Sequence, residues 1–169
     1  MSALGTVGKM LQNSLSRGGA KRTKKNPAPE LEKGTFDYIS EPKSDYFSVG
    51  FAKTDVMPDD MDKTTYYVAG YKINNPAKGA LDPMTASAIW IDDQSGRGGV
   101  VFVSIDDIGL TNYDVGIIRD LLADFKKETG CRSINIMSIH NHASIDTVGF
   151  WGPLPRSGRN KKYMEMLRQ

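Results

Sequence analysis

Residues 100–107, VVFVSIDD, and residues 133–142, SINIMSIHNH, decide the fold of this chain. Each opens with a short run rich in Val or Ile, which is typical of a β-strand. Between them, residues 112–129 place apolar side chains at helical spacing, and Gly130 follows as a stop. Strand, helix and strand in this order predict a right-handed parallel crossover. The near-continuous apolar character of residues 100–105 predicts a strand buried on both faces.

The residues before this unit predict further strands. Residues 86–92 form a strand candidate, and the Gly-rich turn at 94–99 returns the chain into residues 100–105 as a hairpin. Residues 46–52 predict a strand, and residues 65–71 predict a short strand or an extended loop. The expected fold class is therefore α/β, with a mixed sheet and a strand-helix-strand crossover.

Charge divides the chain into two regions. The first 25 residues carry six Lys or Arg and no acid, and breaker-rich segments follow, so residues 1–45 predict a disordered basic leader before a domain at 46–169. Basic residues in the range 9–25 are candidates for contact with a membrane surface, whereas the absence of interleaved aromatic residues disfavours nucleic-acid binding. Val7, Met10, Leu11 and Leu15 give the leader one weak amphipathic stripe.

Composition also excludes several classes of protein. With 39% hydrophobic and 25% charged residues, the chain has the composition of a globular domain. The single cysteine has no partner for a disulfide or for a Cys-based metal site. We find neither a signal peptide nor an apolar run long enough for a transmembrane helix.

Polar residues follow the two central strands, where an open α/β sheet collects its ligands. His140 and His142 follow the second run and are the only histidines in the chain. In extended backbone, residues at i and i+2 point the same way, so both imidazoles face one site, as a metal ligand or an acid/base group requires. Asp106 follows the first run and is a candidate for the same site, ahead of Asp107. Two hydrogen-bonded surface histidines remain the alternative.

Several short motifs resemble the N-terminal catalytic domain of the neutral/alkaline non-lysosomal ceramidase family. The matching stretches are residues 49–58, 68–71, 82–88, 103–106 and 138–144. The last of these, Ser-Ile-His-Asn-His-Ala-Ser, is similar to the family's Thr-His-Thr-His-Ser-Gly-Pro motif. Asn141 stands where the family has threonine, and residues 143–146 replace its Ser-Gly-Pro-Gly turn.

The resemblance implies a hydrolase of lipid and sphingolipid metabolism that cleaves the N-acyl amide of a ceramide-like lipid at a Zn²⁺ site. It assigns the metal to His140 and a catalytic position to His142, with Asp106 beside them. It also implies further zinc ligands beyond residue 169, so we expect the chain to be a fragment of a larger catalytic domain with little activity alone. By the same resemblance the protein is secreted or membrane-associated. A metallohydrolase with a non-lipid substrate, and a non-catalytic binding module that retains the histidines, are the alternatives.

Overall fold

A computed structural model describes residues 45–169, and the prediction of a disordered leader lies outside that range apart from Asp45. The described part consists of a four-stranded sheet, three helices and long connecting loops. The strands are β1 (Ser48–Asp55), β2 (Thr85–Asp92), β3 (Val100–Ile105) and β4 (Ser133–Ser138). The helices are α1 (Asn112–Leu121), α2 (Ala123–Thr129) and α3 (Lys161–Arg168). No helix in this part of the chain is long and apolar enough to cross a membrane.

The sheet has the order β1-β2-β3-β4 and is mixed. β1 and β2 pair antiparallel, β2 and β3 form the predicted hairpin, and β3 and β4 are parallel. The parallel pair requires a crossover, which α1 and α2 supply. The predicted α/β class with a mixed sheet is confirmed. Residues 65–71 form an extended loop whose only ladder contacts are the isolated bridges Tyr67–Pro76 and Val68–Ile145.

The crossover contains two helices where the sequence predicted one. Thr111 caps α1 through a reciprocal hydrogen-bond pair with Asp114, which satisfies backbone N–H groups that the first helical turn leaves free. The run is interrupted at Leu122, whose ψ of 11° departs from helical geometry. Leu122 packs against Val101 and the other buried residues of β3 and β4. α2 ends at Gly130, whose left-handed φ of 67° confirms the predicted stop.

The two faces of the sheet differ in their cover. One face carries Val101, Ile105 and Ile134, which are buried beneath the crossover helices and α3. No helix of residues 45–169 packs on the other face, and Phe102 of β3 is 40% exposed there. The prediction that residues 100–105 are buried on both faces is therefore wrong, because the described helices pack on one side only.

α3 completes the core on the covered face. Its Tyr163, Met164 and Leu167 are buried against Val56, Tyr66, Met84, Ile105 and Ile145. Asp114 of α1, fully buried, receives ion pairs from Arg159 and from Arg168, the latter at 2.6 Å. Burial raises the pKa of Asp114, but the hydrogen bonds from Thr111, Arg168 and Arg159 together hold it below its ordinary value. These ion pairs tie the helix at the C-terminal end to the crossover.

Candidate functional site

The candidate site lies where the parallel strands β3 and β4 end. Beyond the strands, the two segments stay in contact, because Ile139 N–H donates to the Ile105 carbonyl at 3.1 Å and Asn141 N–H donates to the Asp107 carbonyl at 2.8 Å. Polar residues that follow the two strands are therefore held together, as expected at the carboxyl edge of an α/β sheet.

The His140 ring is held by one backbone hydrogen bond. Its Nδ1 lies 2.8 Å from the carbonyl oxygen of Ile108. A carbonyl oxygen only accepts, so Nδ1 is the donor, and in the neutral form of the ring Nε2 keeps its lone pair. The same arrangement orients histidines that bind metal through the other ring nitrogen. His140 also has a φ of 63°, in the left-handed region that few non-glycine residues adopt.

The His142 ring contacts two neighbouring rings, one in an edge-on and one in a tilted arrangement. Its centroid lies 4.9 Å from that of His140 and 4.8 Å from that of Tyr71. Its Nδ1 is buried and has no hydrogen-bond partner. The structure thus brings the two predicted histidines together and adds Tyr71, which the sequence did not indicate.

A glycine makes room for the His142 ring. A Cβ at Gly70, whose φ is 120°, would lie only 2.7 Å from the Cβ of His142. The Trp151 indole N–H donates to the Gly70 carbonyl at 2.6 Å and fixes this backbone. Trp151 thus supports the backbone segment that contacts His142. In the sequence, the position of Gly70 directly before Tyr71 was the feature that could have indicated the contact between Gly70 and His142.

A buried carboxylate organises the loop after the histidines. Asp146 is fully buried, and its two oxygens accept hydrogen bonds from the backbone N–H groups of Val148, Gly149 and Trp151. Ser144 donates its hydroxyl to the Asn141 carbonyl at 2.9 Å, which closes the turn. These bonds give the histidine segment a fixed backbone on its C-terminal side.

Asp106 joins two strands. Its Oδ2 accepts from both the backbone N–H and the hydroxyl of Thr85, each at 2.8 Å. Within residues 45–169, no hydrogen bond connects Asp106 to His140 or His142. The catalytic role predicted for Asp106 stays a prediction, and its observed contacts tie the start of β2 to the end of β3.

Asp107, which the sequence placed second, is the more unusual carboxylate. It is fully buried, and neither oxygen has a hydrogen-bond partner. Burial raises its pKa to about 6; Asp114 and Asp106 reinforce the shift. The Ser138 hydroxyl partly offsets this increase in the Asp107 pKa, although its contact with the carboxylate falls outside hydrogen-bond geometry. An unpaired buried carboxylate beside a polar site is a feature that stability alone does not explain.

Metal donors at this site are few. Within residues 45–169, no group of three or more His, Cys, Asp or Glu side chains is arranged to hold a metal ion. His140 has the orientation of a ligand, and His142 is its nearest imidazole neighbour.

The chain matches no model of a known protein family and no curated protein. The likeness to ceramidases therefore rests on the short motifs described above.

Proposed function

We propose that this chain belongs to a zinc-dependent hydrolase activity that resembles neutral ceramidase and cleaves the N-acyl amide of a ceramide-like lipid. The observation that carries the proposal is the His140 hydrogen bond to the Ile108 carbonyl. In the neutral ring this bond leaves the Nε2 lone pair available, on an exposed residue at the sheet edge where α/β proteins bind ligands.

His140 is the residue we assign to the metal. Its ring is already oriented by a backbone acceptor, so binding would not require a change of tautomer. When bound, zinc polarises a carbonyl and lowers the pKa of a water molecule. One imidazole is a weak site by itself, and we expect the 169-residue chain to bind zinc weakly and to turn over little substrate.

His142 is placed to meet the group under attack. Its ring lies beside that of His140 and also contacts the Tyr71 ring. An imidazole at this distance from a metal ligand is suited to hydrogen bonding with the oxygen or nitrogen of an amide. We assign it the catalytic position.

The surroundings of the pair favour an apolar substrate. Tyr71 is 90% exposed, and Ile139, directly before His140, is also exposed. Apolar side chains that face solvent beside a polar centre suit a lipid amide better than a carbohydrate. The choice of a ceramide-like lipid as the substrate rests on the resemblance to the ceramidase family.

Nitrogen-15 NMR of the imidazoles tests the metal assignment directly, because the chain contains only two histidines. We expect His140 to show a protonated Nδ1 and a free Nε2, and zinc to shift that Nε2 first. His140→Ala should abolish the response, whereas Asn141→Ala should keep it. Equal zinc responses in wild type and His140→Ala would refute the metal assignment.

Activity separates the proposed substrate from the alternatives. A ceramide with a fluorescent acyl chain and a water-soluble N-acyl amino acid should be compared at equal zinc. Release of the acyl group from the ceramide alone, lost in His142→Ala, supports the proposal. Cleavage of the soluble amide alone indicates a non-lipid metallohydrolase. The absence of any zinc response in the NMR experiment leaves the non-catalytic binding module.

A further inference from the structure

A hollow lies at the end of the sheet opposite the histidines, where β3 and β4 begin. Its volume is about 250 Å³, the space of roughly eight water molecules, so it suits a small ligand. One length of β3, roughly 20 Å, separates it from the candidate site. The apolar part of its lining consists of Phe47, Ile91, Val100 and Phe102.

Close backbone packing fixes the shape of this hollow. A Cβ at Gly98, in the hairpin turn, would collide with the carbonyl oxygen of Gly130. The φ of Gly98 is 88°, which also favours glycine. The backbone N–H of Arg132 donates to the Gly99 carbonyl at 2.8 Å. The hairpin turn and the start of β4 are therefore held together, and the hollow is formed before any ligand binds.

Charged side chains complete the lining of the hollow. Arg97 donates to Asp93 at 2.7 Å, so these two charges neutralise each other. Hydrogen bonds from Ser95 and Arg97 lower the pKa of Asp93 to about 2, so its carboxylate stays ionised at neutral pH. The guanidinium of Arg132, the other arginine of the lining, makes no hydrogen bond or ion pair within residues 45–169. The hollow thus combines an apolar lining with one net positive charge.

We propose that the hollow binds a small carboxylate with an apolar tail, whose head pairs with Arg132 and whose tail packs on Val100 and Phe102. A guanidinium donates two parallel N–H bonds to a carboxylate, which it matches in shape and charge. An apolar tail would remove exposed surface of Phe102 from water. Inorganic anions lack the apolar part, and an alkylammonium would meet Arg132 with like charge. A carboxylate with a tail uses both parts of the lining.

Titration of the full chain with octanoate, followed by nitrogen-15 NMR of the backbone, tests the proposal without zinc. We expect the amide signals of Gly98, Gly99 and Arg132 to shift together and to saturate. Octylammonium has the same tail with the opposite charge, and acetate has the same head without the tail. Each should bind at least five times more weakly than octanoate.

Two arginine substitutions separate a specific contact from general charge attraction. Arg132→Gln should weaken octanoate binding at least fivefold, because it removes the charged donor from the hollow. Arg156→Gln is the matched control, since it removes the same charge from an exposed residue outside the lining. It should leave the affinity within twofold of wild type. Phe102→Ala should also weaken octanoate binding, because it shortens the apolar wall.

Three results would overturn the proposal. Equal binding of octanoate and octylammonium would indicate apolar contact without recognition of the carboxylate. Equal losses in the two arginine variants would indicate attraction by net charge alone. Unchanged amide signals at Gly98 and Arg132 would show that octanoate does not enter the hollow. The ligand comparison uses the wild-type chain, so it decides the question even if a variant fails to fold, which circular dichroism would reveal.

Discussion

Replacing Asp107 by Asn should change how stability depends on pH. The Asp107 pKa rises from 3.8 to about 6 on folding, chiefly through burial. Since the folded carboxyl keeps its proton to a higher pH than the unfolded one, the carboxyl destabilises the fold as the pH rises through this window. The penalty is absent below about pH 4 and constant above about pH 6. A shift of about two units corresponds to roughly 2 to 3 kcal/mol.

Urea unfolding of wild type and Asp107→Asn between pH 4 and pH 7 measures this effect. We expect the free energy of unfolding of wild type to fall by roughly 2 to 3 kcal/mol relative to the variant over that range. Taking the difference between the two curves cancels contributions that wild type and variant share, and any pH-independent cost of burying an amide does not alter its slope. Parallel curves for the two proteins would refute the raised pKa and the buried, unpaired state of this carboxyl.

Two further substitutions test the contacts around the site. Gly70→Ala should destabilise the fold by about 2 kcal/mol and shift the ring signals of His142 in the NMR spectrum, because a Cβ there meets the histidine at 2.7 Å. Unchanged ring signals would contradict the close approach. Asp114→Asn should cost about 3 kcal/mol in urea unfolding and release α3, because two partly buried arginines lose their carboxylate. Unaltered hydrogen exchange in α3 would show that these pairs do not hold the helix.

The strand pattern was readable from sequence because apolar runs and turn residues act locally. The hairpin of β2 and β3 follows from the Gly-rich turn, and the parallel pairing of β3 and β4 follows from the intervening helical segment. Burial on both faces was not readable, because an apolar strand has the same composition whether one or two layers cover it. The break at Leu122 was also hidden, since its side chain suits a helix.

The sequence predicted part of the candidate site, but it did so on an incorrect assumption about the backbone at His140. His140 and His142 do lie together, but the left-handed φ of His140 replaces the extended backbone assumed from their spacing. Asp106 was placed ahead of Asp107, whereas the structure ties Asp106 to Thr85 and leaves Asp107 buried without a partner. Side-chain direction beyond the end of a strand depends on the loop, which local sequence rules do not determine.

The backbone at His140 also sets a cost for the loop that carries it. A left-handed conformation costs a residue with a Cβ of order 1 kcal/mol or more, while Gly adopts it freely and Asn tolerates it. The His140 ring offsets part of this cost, because it forms a hydrogen bond with the Ile108 carbonyl and contacts the His142 ring. A glycine at this position would remove the backbone cost and these contacts together. The side chain of His140 therefore helps to maintain the unusual backbone that presents it.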